Sequence, residues 1–331
     1  MSDFSPYPLK FQPLFQHRVW GGDYLARVLP GCPAVQGYGE AWTLSGLAAA
    51  PSVCLNGQLA GQTLPEIVSQ YPDHYLGQAA PAEFPVLVKL IDAAADLSVQ
   101  VHPDDQVAAG LAGARGKTES WYVLQADADA SIVVGLDLKG PSEVAAALRA
   151  GCLTEHLVRH HVQAGAFVHV PAGTVHALCR GVRVIEVQQT SDITYRLFDW
   201  NRVGVDGRSR QLHVVEALQS IHFGPEAAST SHPPVPFAQD GDESVRHLVQ
   251  CPHYAIDELR LHDGRQFTLG GRPAVLIVAN GQGQLSIGGQ AYDLNLGDTY
   301  LLPAGPPSDR GVILPEGNLT LLWVAFTEGK R

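Results

Sequence analysis

The chain consists largely of short apolar runs that are rich in Val, Leu and Ile and that stop at glycine or proline. The 34 glycines and 23 prolines among 331 residues supply frequent turns between these runs. Short strands separated by such turns are typical of an all-β barrel or sandwich. The sequence therefore predicts a mainly β protein, with central strands at residues 84–91, 97–102, 119–125, 131–136, 166–170, 182–189 and 194–198.

Four segments carry helix signals instead. Residues 63–66 read Thr-Leu-Pro-Glu, which has the form of a capping box, and predict a helix that ends near residue 77. An alanine-rich helix is predicted over residues 141–150, and a short helix is predicted over residues 154–161. Residues 212–221 have the apolar spacing of a further helix.

A pattern of glycine, proline and histidine occurs twice along the chain. Residues 165–176 read Gly-x5-Pro-x-Gly-x2-His, and residues 297–308 repeat this spacing with Ser308 in the place of His176. The pattern is the second signature of the cupin barrel, and self-similarity of this kind indicates a duplicated fold. The sequence therefore predicts a bicupin, two jelly-roll β-barrels with a small, reduced helical portion, in which the C-terminal copy has lost its ligand.

The predicted domain bounds follow from a change in composition. Residues 224–243 are rich in Pro, Ser, Ala and Asp and have little periodicity, which is typical of a linker. We predict an N-terminal catalytic cupin domain over residues 1–223, a linker over 224–244 and a degenerate C-terminal cupin domain over 245–331. The catalytic domain is expected to contain two small helical insertions, at about 61–78 and 141–162.

The net charge of -11 bears on the partners of the protein. Nucleic acid is not expected to bind, because non-specific binding to its phosphates depends on clustered Lys and Arg. A small anionic substrate would still bind if a local group of Arg or Lys opposed the overall charge. We therefore expect a small-molecule substrate, and a chain that is a monomer or a homodimer.

The sequence shows neither a targeting segment nor a membrane-spanning one. Residues 1–15 contain three prolines and no continuous apolar stretch, and no apolar run approaches the length that crosses a bilayer. The five cysteines are odd in number, widely separated and never spaced as Cys-x-x-Cys. This pattern disfavours disulfides and a thiolate zinc site, so we expect a soluble cytoplasmic protein without a membrane partner.

Polar and apolar side chains alternate over residues 97–102. Ser98, Gln100 and His102 share one face, because side chains alternate along a strand, and apolar side chains occupy the other face. A polar face of this kind is expected to lie either toward solvent or toward an interior that binds a polar ligand. The run alone does not distinguish the two.

Three later runs also place polar side chains on one face. Lys117 and Glu119 share a face of one predicted strand, and His176 follows a Pro-Ala-Gly turn. Glu186 and Gln188 share a face of another strand. Each run alone is consistent with an exposed strand, but strands that a barrel places side by side favour a common polar interior site.

Imidazole nitrogens and a carboxylate suit zinc, and a catalytic zinc site keeps one position free for water or substrate. Two histidines, one glutamate and a neutral amide oxygen would leave a net charge of about +1, because only the carboxylate offsets the charge of Zn²⁺. Such a site favours oxyanions. We predict one zinc ion per chain, with iron or manganese as alternatives that accept similar ligands, bound by Gln100, His102, Glu119 and His176.

Five short segments resemble, in sequence and in order, the marker segments of the class I mannose-6-phosphate isomerases of the cupin superfamily. One of them reads Leu-Ser-Val-Gln-Val-His-Pro-Asp-Asp, and the five lie at residues 39–45, 97–105, 116–122, 171–178 and 188–196. The resemblance covers roughly residues 10–222 and is greatest to the short bacterial members. The helical portion at residues 140–165 is much reduced, so the family's substrate contacts from that region are not carried over.

The resemblance implies an aldose-ketose isomerase that interconverts mannose 6-phosphate and fructose 6-phosphate. In this family a proton moves between C2 and C1 after ring opening, through a cis-enediol. The resemblance also implies a zinc cofactor with the four ligands given above. Arg196 matches the essential arginine of the family, and Ser98, Arg196 and Arg202 resemble its phosphate-binding group.

A base must lie within hydrogen-bond reach of the transferred proton. Glu186 and Lys117 are the two candidates that point inward by strand parity. Lys117 would have to be neutral to act as a base, and otherwise it would bind a substrate oxygen. Glu186 has an alternative role as the ion-pair partner that orients Arg196 or Lys117. The sequence leaves the choice open.

Two other functions are compatible with the same residues. One is an isomerase or epimerase of an unphosphorylated sugar. The other is a non-catalytic sugar-binding cupin, in which the metal is only a structural clamp. The combination of Lys117, Glu186 and Arg196 disfavours the passive binder, because binding alone has little need of it.

Overall fold

The protein is mainly β. The computed structural model describes residues 4–77, 83–110, 115–203, 207–224, 244–305 and 310–327. Strands account for 44% and helices for 15% of these residues, which confirms the predicted class. No helix within these ranges is long and apolar enough to span a membrane.

The strands are numbered in chain order. They are β1 (Leu9–Lys10), β2 (Leu14–Gly22), β3 (Tyr38–Leu44), β4 (Val86–Ala93), β5 (Val99–Val101), β6 (Glu119–Ala126), β7 (Ser131–Leu136), β8 (Leu157–His161), β9 (Phe167–Val170), β10 (His176–Leu178), β11 (Val182–Gln189), β12 (Tyr195–Phe198), β13 (Val245–Gln250), β14 (Tyr254–Leu261), β15 (Arg265–Thr268), β16 (Ala274–Asn280), β17 (Gln282–Ile287), β18 (Gln290–Asn295), β19 (Thr299–Leu302), β20 (Arg310–Pro315) and β21 (Leu319–Phe326).

The helices are short. They are α1 (Tyr24–Val28), α2 (Leu64–Gln70), α3 (Pro72–Tyr75), α4 (Asp105–Ala108), α5 (Pro141–Ala150) and α6 (Val214–Ser220). Two 3₁₀ helices lie at Gly57–Leu59 and Leu153–His156. Helices α5 and α6 confirm the predictions made from residues 141–150 and 212–221.

The predicted capping box begins α2. Thr63 Oγ1 accepts a hydrogen bond from the Glu66 amide, and Glu66 Oε2 accepts one from the Thr63 amide at 2.8 Å. The helix does not continue to residue 77 as predicted. It ends at Gln70, because Tyr71 precedes Pro72 and residues before proline disfavour the helical conformation. Helix α3 then begins at Pro72.

The predicted helix over residues 154–161 is wrong. Leu153–His156 forms a 3₁₀ turn, and Leu157–His161 forms strand β8, which pairs antiparallel with β7. Pairing with β7 satisfies the backbone groups of this segment, and Leu157 packs into a core cluster. This tertiary pairing outweighs a weak local helix preference, so the helical insertion predicted at 141–162 is reduced to α5 and one turn.

The described chain forms two compact units. Unit 1 draws on Met1–Leu14, Trp42–Val88 and Phe237–Arg331, and unit 2 draws on Phe15–Ala41 and Lys89–Pro236. The bounds predicted from the sequence instead kept residues 1–223 together. The division into two cupin domains stays a prediction, since Ser308 and most of the predicted linker, residues 225–243, lie outside the described residues.

Unit 1 contains two antiparallel sheets with an apolar core. One sheet has the strand order β1-β19-β16-β21-β14-β13, and the other has the order β15-β20-β17-β18. The core cluster of these strands consists of aliphatic side chains and Tyr300. One group of three or more His, Cys, Asp or Glu side chains is close enough to hold a metal among the residues the structure describes. It consists of His102, Glu119 and His176 and lies in unit 2.

Unit 2 contains a five-stranded sheet, β12-β5-β10-β7-β8, and most of a six-stranded sheet, β2-β3-β4-β11-β6-β9. One core cluster joins Trp121 and Val168 of the six-stranded sheet to Ile132 and Val134 of the five-stranded sheet, so these two sheets face each other. A second cluster joins the opposite face of the five-stranded sheet to helices α5 and α6.

Strand β5 shows which way its polar face points. Val99 and Val101 belong to the cluster that includes helices α5 and α6. Because side chains alternate along a strand, Gln100 points the other way, toward the six-stranded sheet. The polar face predicted over Ser98, Gln100 and His102 therefore lies in the interior between the two sheets.

Candidate metal centre

The four predicted metal ligands come from both sheets of unit 2. Gln100 and His176 are register partners on β5 and β10, so their side chains lie on the same face. His102 follows the end of β5, and Glu119 begins β6 in the facing sheet. The His102, Glu119 and His176 side chains are each about 1% exposed. The structure therefore brings the predicted ligands together in a buried interior.

The ligand atoms converge closely. His102 Nε2 lies 3.2 Å from Glu119 Oε2, and His176 Nε2 lies 3.3 Å from Glu119 Oε1. The possible ligand atoms of these three residues all lie within 4.8 Å of one another. Neighbouring ligands of a tetrahedral zinc ion are about 3.3 Å apart when each bond is about 2.0–2.1 Å long. The two separations between Glu119 and the histidines are thus those of neighbouring ligands on one metal ion.

The two imidazoles are held so that Nε2 faces the centre. His102 Nδ1 lies 2.7 Å from the Ile193 carbonyl oxygen, and His176 Nδ1 lies 2.9 Å from the Thr174 carbonyl oxygen. A carbonyl only accepts, so each Nδ1 carries the proton and each Nε2 presents a lone pair to the centre. Backbone bonds of this kind are what orients metal-binding histidines.

The electrostatics give the cluster the protonation states that a metal requires. Burial and the neighbouring Lys117 ammonium lower the pKa of His102 to about 3. Burial also lowers the pKa of His176. Burial alone would raise the pKa of Glu119, but the Lys117 ammonium together with His102 and His176 outweighs it and holds that pKa well below its usual range. At neutral pH the cluster therefore consists of two neutral imidazoles and a carboxylate.

The Glu119 carboxylate is not satisfied by hydrogen bonds. Both of its oxygens are buried and accept no hydrogen bond of good geometry from the described part of the chain. A buried carboxylate in this state is costly unless a cation compensates it. Lys117 supplies one such cation, since its Nζ lies 2.9 Å from Glu119 Oε2 and 2.9 Å from His102 Nε2. The donor set therefore fits a divalent metal.

Gln100 lies at the edge of the cluster. Its Nε2 is 3.2 Å from His176 Nε2, and its Oε1 accepts a hydrogen bond of 3.1 Å from Ser98 Oγ. Coordination through oxygen requires the amide to turn by half a rotation, which exchanges Oε1 and Nε2. Ser98 Oγ can adapt to this change, because a hydroxyl both donates and accepts hydrogen bonds. Gln100 is thus placed beside the three other predicted ligands.

Glu186 lies in the same interior, where one oxygen accepts a hydrogen bond and the other faces a lysine ammonium. Its Oε2 accepts a hydrogen bond of 3.0 Å from Trp121 Nε1, and its Oε1 lies 3.0 Å from Lys89 Nζ. The edge of the Trp121 ring contacts the His176 ring, with centroids 5.6 Å apart. The ion-pair partner of Glu186 is therefore Lys89, and not Arg196 or Lys117 as the sequence alternative proposed.

Lys89 is the residue of this interior that the sequence reasoning missed. Burial alone would lower its pKa, but Glu186 and other nearby carboxylates outweigh this effect and raise the pKa above its ordinary value. The lysine therefore remains charged. The sequence did contain an indication, because Lys89 interrupts the apolar run that forms β4. A lysine inside a buried strand requires a buried partner for its charge, and all residues of β4 are buried.

Arg196 and Arg202 lie on and after strand β12. Arg196 is the register partner of Gln100 across β12 and β5, so it shares the face of the cluster. Its Nη1 donates a hydrogen bond of 2.8 Å to the Gln211 carbonyl. Arg202 Nη2 donates one of 2.8 Å to Asp199 Oδ1. Neither Asp199 nor its second partner, Arg210, was singled out from the sequence.

Comparison with known proteins identifies the family. A family model described as phosphomannose isomerase type I, catalytic domain, matches residues 9–126. The chain is 36% identical over 302 residues to mannose-6-phosphate isomerase ManA of Bacillus subtilis (strain 168), covering 90% of this chain and 93% of that protein. The chain belongs to the mannose-6-phosphate isomerase family.

Other members of the mannose-6-phosphate isomerase family extend this likeness. The mannose-6-phosphate isomerase of Streptococcus mutans serotype c is 33% identical over 296 residues, covering 89% of this chain and 92% of that protein. The solved structure of mannose 6-phosphate isomerase from Bacillus subtilis superposes with a TM-score of 0.86 at 29% identity, covering 96% of this chain and 99% of that one. The resemblance stated from the five sequence segments is thereby confirmed.

Proposed function

We propose that the protein is a zinc-dependent aldose-ketose isomerase that interconverts mannose 6-phosphate and fructose 6-phosphate. The observation that carries this proposal is the buried cluster of His102, Glu119 and His176, whose ligand atoms lie within 4.8 Å of one another in a chain of the mannose-6-phosphate isomerase family. A passive sugar binder has little need of such a cluster with Lys117 at its edge.

The proposed zinc site consists of the three clustered side chains and Gln100. Zinc would act there as a Lewis acid that stabilises negative charge developing on substrate oxygens. Nitrogen ligands favour zinc over magnesium or calcium, whereas iron and manganese remain chemically compatible alternatives. The neutral imidazoles and the ionised carboxylate support this proposal, because metal binding needs no proton to be removed from them.

The reaction requires a proton to move between C2 and C1 of the open-chain sugar, through a cis-enediol. Lys117 and Glu186 are the proposed groups for this step. Lys117 Nζ is within 3 Å of two ligand atoms and so reaches the centre directly. Lys89 and Trp121 hold the Glu186 carboxylate in one orientation. A general base needs such a fixed position within hydrogen-bond reach of the proton that it removes.

The proposed substrate-binding residues are Ser98, Lys117, Arg196 and Arg202. Arg196 shares the face of Gln100 and carries a charge that can stabilise the oxyanion character of the enediol. Arginine also suits a phosphoryl group, since its planar fork can donate two hydrogen bonds at once. Ser98 is buried next to Gln100 and offers one hydroxyl.

We infer a bicupin whose C-terminal barrel is structural, which the apolar core cluster of unit 1 supports. We also infer a cytoplasmic enzyme that acts on a small sugar phosphate. All five cysteines are unpaired, which agrees with a reducing compartment.

The test is an isomerase assay on the purified full chain. Conversion of mannose 6-phosphate to fructose 6-phosphate is measured before chelation, after chelation, and after zinc is restored. We expect activity to be lost and then recovered, and His176→Ala should behave like the chelated protein. His161→Ala, at an exposed position of β8, is the matched control and should keep full activity. Undiminished turnover in fully metal-free protein would contradict the proposal.

A further inference from the structure

Asp199 binds two arginines at once. Arg210 donates from Nε to Asp199 Oδ2 at 2.7 Å and from Nη2 to Oδ1 at 2.5 Å, while Arg202 Nη2 donates to Oδ1 at 2.8 Å. The Asp199 side chain is 6% exposed, whereas the Arg202 and Arg210 side chains are 22% and 26% exposed. A buried carboxylate therefore fixes the two guanidinium groups, and each keeps part of its surface open.

Arg196 adds a third guanidinium to this group. Burial and the nearby Arg210 lower its pKa, which shows that the positive charges act on one another. The Nε atoms of Arg196 and Arg202 are buried and find no acceptor among the residues that the structure describes. Buried donors without an acceptor are rare in proteins, and a bound group that accepts hydrogen bonds would satisfy both of them.

The turn that carries these residues is held in an unusual conformation. Trp200 and Asn201 both have positive φ, 55° and 54°. For a residue as bulky as tryptophan, this backbone conformation is unfavourable and persists only when its surroundings impose it.

Contacts of the Trp200 side chain hold this backbone conformation in place. Its indole Nε1 donates a hydrogen bond of 2.6 Å to the carbonyl of Leu97, the residue before Ser98. Its ring also packs edge-on against Phe198 and lies under the Arg159 guanidinium. The turn from Asp199 to Arg202 is thereby fixed to the start of the chain segment that carries Ser98 and Gln100.

The charges of the group match one class of ligand. Three arginines and one aspartate leave a surplus of two positive charges, and a phosphoryl group carries about −1.5 to −2 at neutral pH. We propose that Arg210 is a third phosphate-binding arginine beside Arg196 and Arg202, and that Asp199 is the positioning residue that holds Arg202 and Arg210 toward the phosphoryl group. This inference rests on the proposed function and identifies what makes the site specific for a phosphorylated sugar.

An ordinary surface ion pair explains these contacts less well. One arginine suffices to neutralise Asp199, and exposed pairs contribute little to stability. Here a second arginine shares the carboxylate, and a third, Arg196, lies nearby without an ion-pair partner in the part of the chain that the structure describes. Like charges are held together in this way where they act on a common anion.

Arg210→Gln tests the arginine. We expect KM for mannose 6-phosphate to rise about tenfold or more while kcat changes much less, because a charged hydrogen bond to the phosphoryl group is lost. Inorganic phosphate should bind more weakly by a similar factor in titration calorimetry, and Arg210→Lys should restore part of both effects. Arg149→Gln, on the exposed side of α5, makes the same charge change and should alter neither. Unchanged KM and unchanged phosphate affinity in Arg210→Gln would overturn the assignment.

Asp199→Asn separates positioning from charge. The substitution removes a negative charge, so a purely electrostatic role predicts tighter binding of inorganic phosphate. A positioning role predicts weaker binding and a raised KM, since the two guanidinium groups lose their common acceptor. Weaker binding supports the inference and tighter binding refutes it. Circular dichroism on each variant establishes that it is folded before its affinity is compared.

Failure of the inference can be told apart from failure of the proposed function. If the wild-type chain does not isomerise mannose 6-phosphate, the proposed function fails, and phosphate calorimetry on the same variants still decides the arginine site. If the wild type is active and Arg210→Gln matches it in KM and phosphate affinity, the function stands and the inference fails.

Discussion

Lys89 and Glu186 form an ion pair in the interior of unit 2, with 3.0 Å between Nζ and Oε1. Both side chains are 5% exposed or less. Removing one partner of such a pair leaves the other charge buried, which is far more destabilising than exchanging both partners. The pair therefore provides a test of how the proposed base is held.

Lys89→Met should lower the free energy of unfolding by about 3–5 kcal/mol, because the Glu186 carboxylate then loses its buried cation. The double variant Lys89→Met with Glu186→Gln should be less destabilised than Lys89→Met alone. Urea unfolding at pH 7 measures both. Lys139→Met removes a lysine at an exposed position and serves as the control. A loss below about 1 kcal/mol in Lys89→Met would show that the pair behaves like a surface pair.

The identity of the base can be decided by isotope exchange. With mannose 6-phosphate deuterated at C2, the loss of label to water should slow by about 10²–10⁴-fold in one of two variants, Glu186→Gln or Lys117→Met, and much less in the other. Mass spectrometry of substrate and product follows the label. Exchange at the wild-type rate in both variants would exclude both residues as the base.

The two buried histidines should make the metal-free protein sensitive to acid. Their folded-state pKa values lie below the ordinary value of about 6.5, and that of His102 lies at about 3. Between these limits the unfolded chain binds more protons than the folded one. The stabilising contribution is therefore complete above about pH 6.5 and is lost as the pH falls toward the folded values.

The size of this effect is measurable by urea unfolding between pH 6 and pH 5. His102, whose folded pKa of about 3 lies below this range, should contribute a slope of about 1.4 kcal/mol per pH unit, and His176 should add to it. His176→Gln should reduce the slope, whereas His161→Gln, at an exposed position, should leave it unchanged. Equal slopes for wild type and His176→Gln would mean that His176 is not held neutral in the folded protein.

Zinc should stabilise the folded chain as well as activate it. A ligand that binds only the folded state at about 100 times its Kd adds about 2.7 kcal/mol to the free energy of unfolding. We expect the thermal midpoint of the metal-free protein to rise with zinc but not with magnesium, which prefers oxygen ligands. His176→Ala should lose most of the rise. An equal rise in that variant would place the bound zinc elsewhere.

Local rules were sufficient for much of the fold and of the candidate site. Alternation along residues 97–102 predicted that Gln100 and His102 share a face, and the apolar packing of Val99 and Val101 puts that face in the interior. The capping box at Thr63 is formed as its sequence predicts. These features depend on neighbours in the sequence, which is why the sequence reveals them.

Other features depend on distant parts of the chain and were missed or mistaken. Strand β8 was predicted as a helix, because its pairing with β7 is not visible in its own residues. The ion-pair partner of Lys89 is Glu186, almost a hundred positions away in the sequence. The residues around Lys89 therefore gave no indication of which carboxylate it contacts. Asp199 and its arginines lie beside a turn in which Trp200 adopts a positive φ, which no propensity predicts for tryptophan.

Both faces of the three-residue strand β5 make contacts inside the protein. Gln100 points toward the candidate metal centre, while Val99 and Val101 belong to the core cluster that includes Ala217 of α6. A shift of that helix would be transmitted through β5 to the side chain of Gln100, beside the candidate metal centre. Substitutions that move α6 are therefore expected to disturb the candidate metal centre on the opposite face of the sheet.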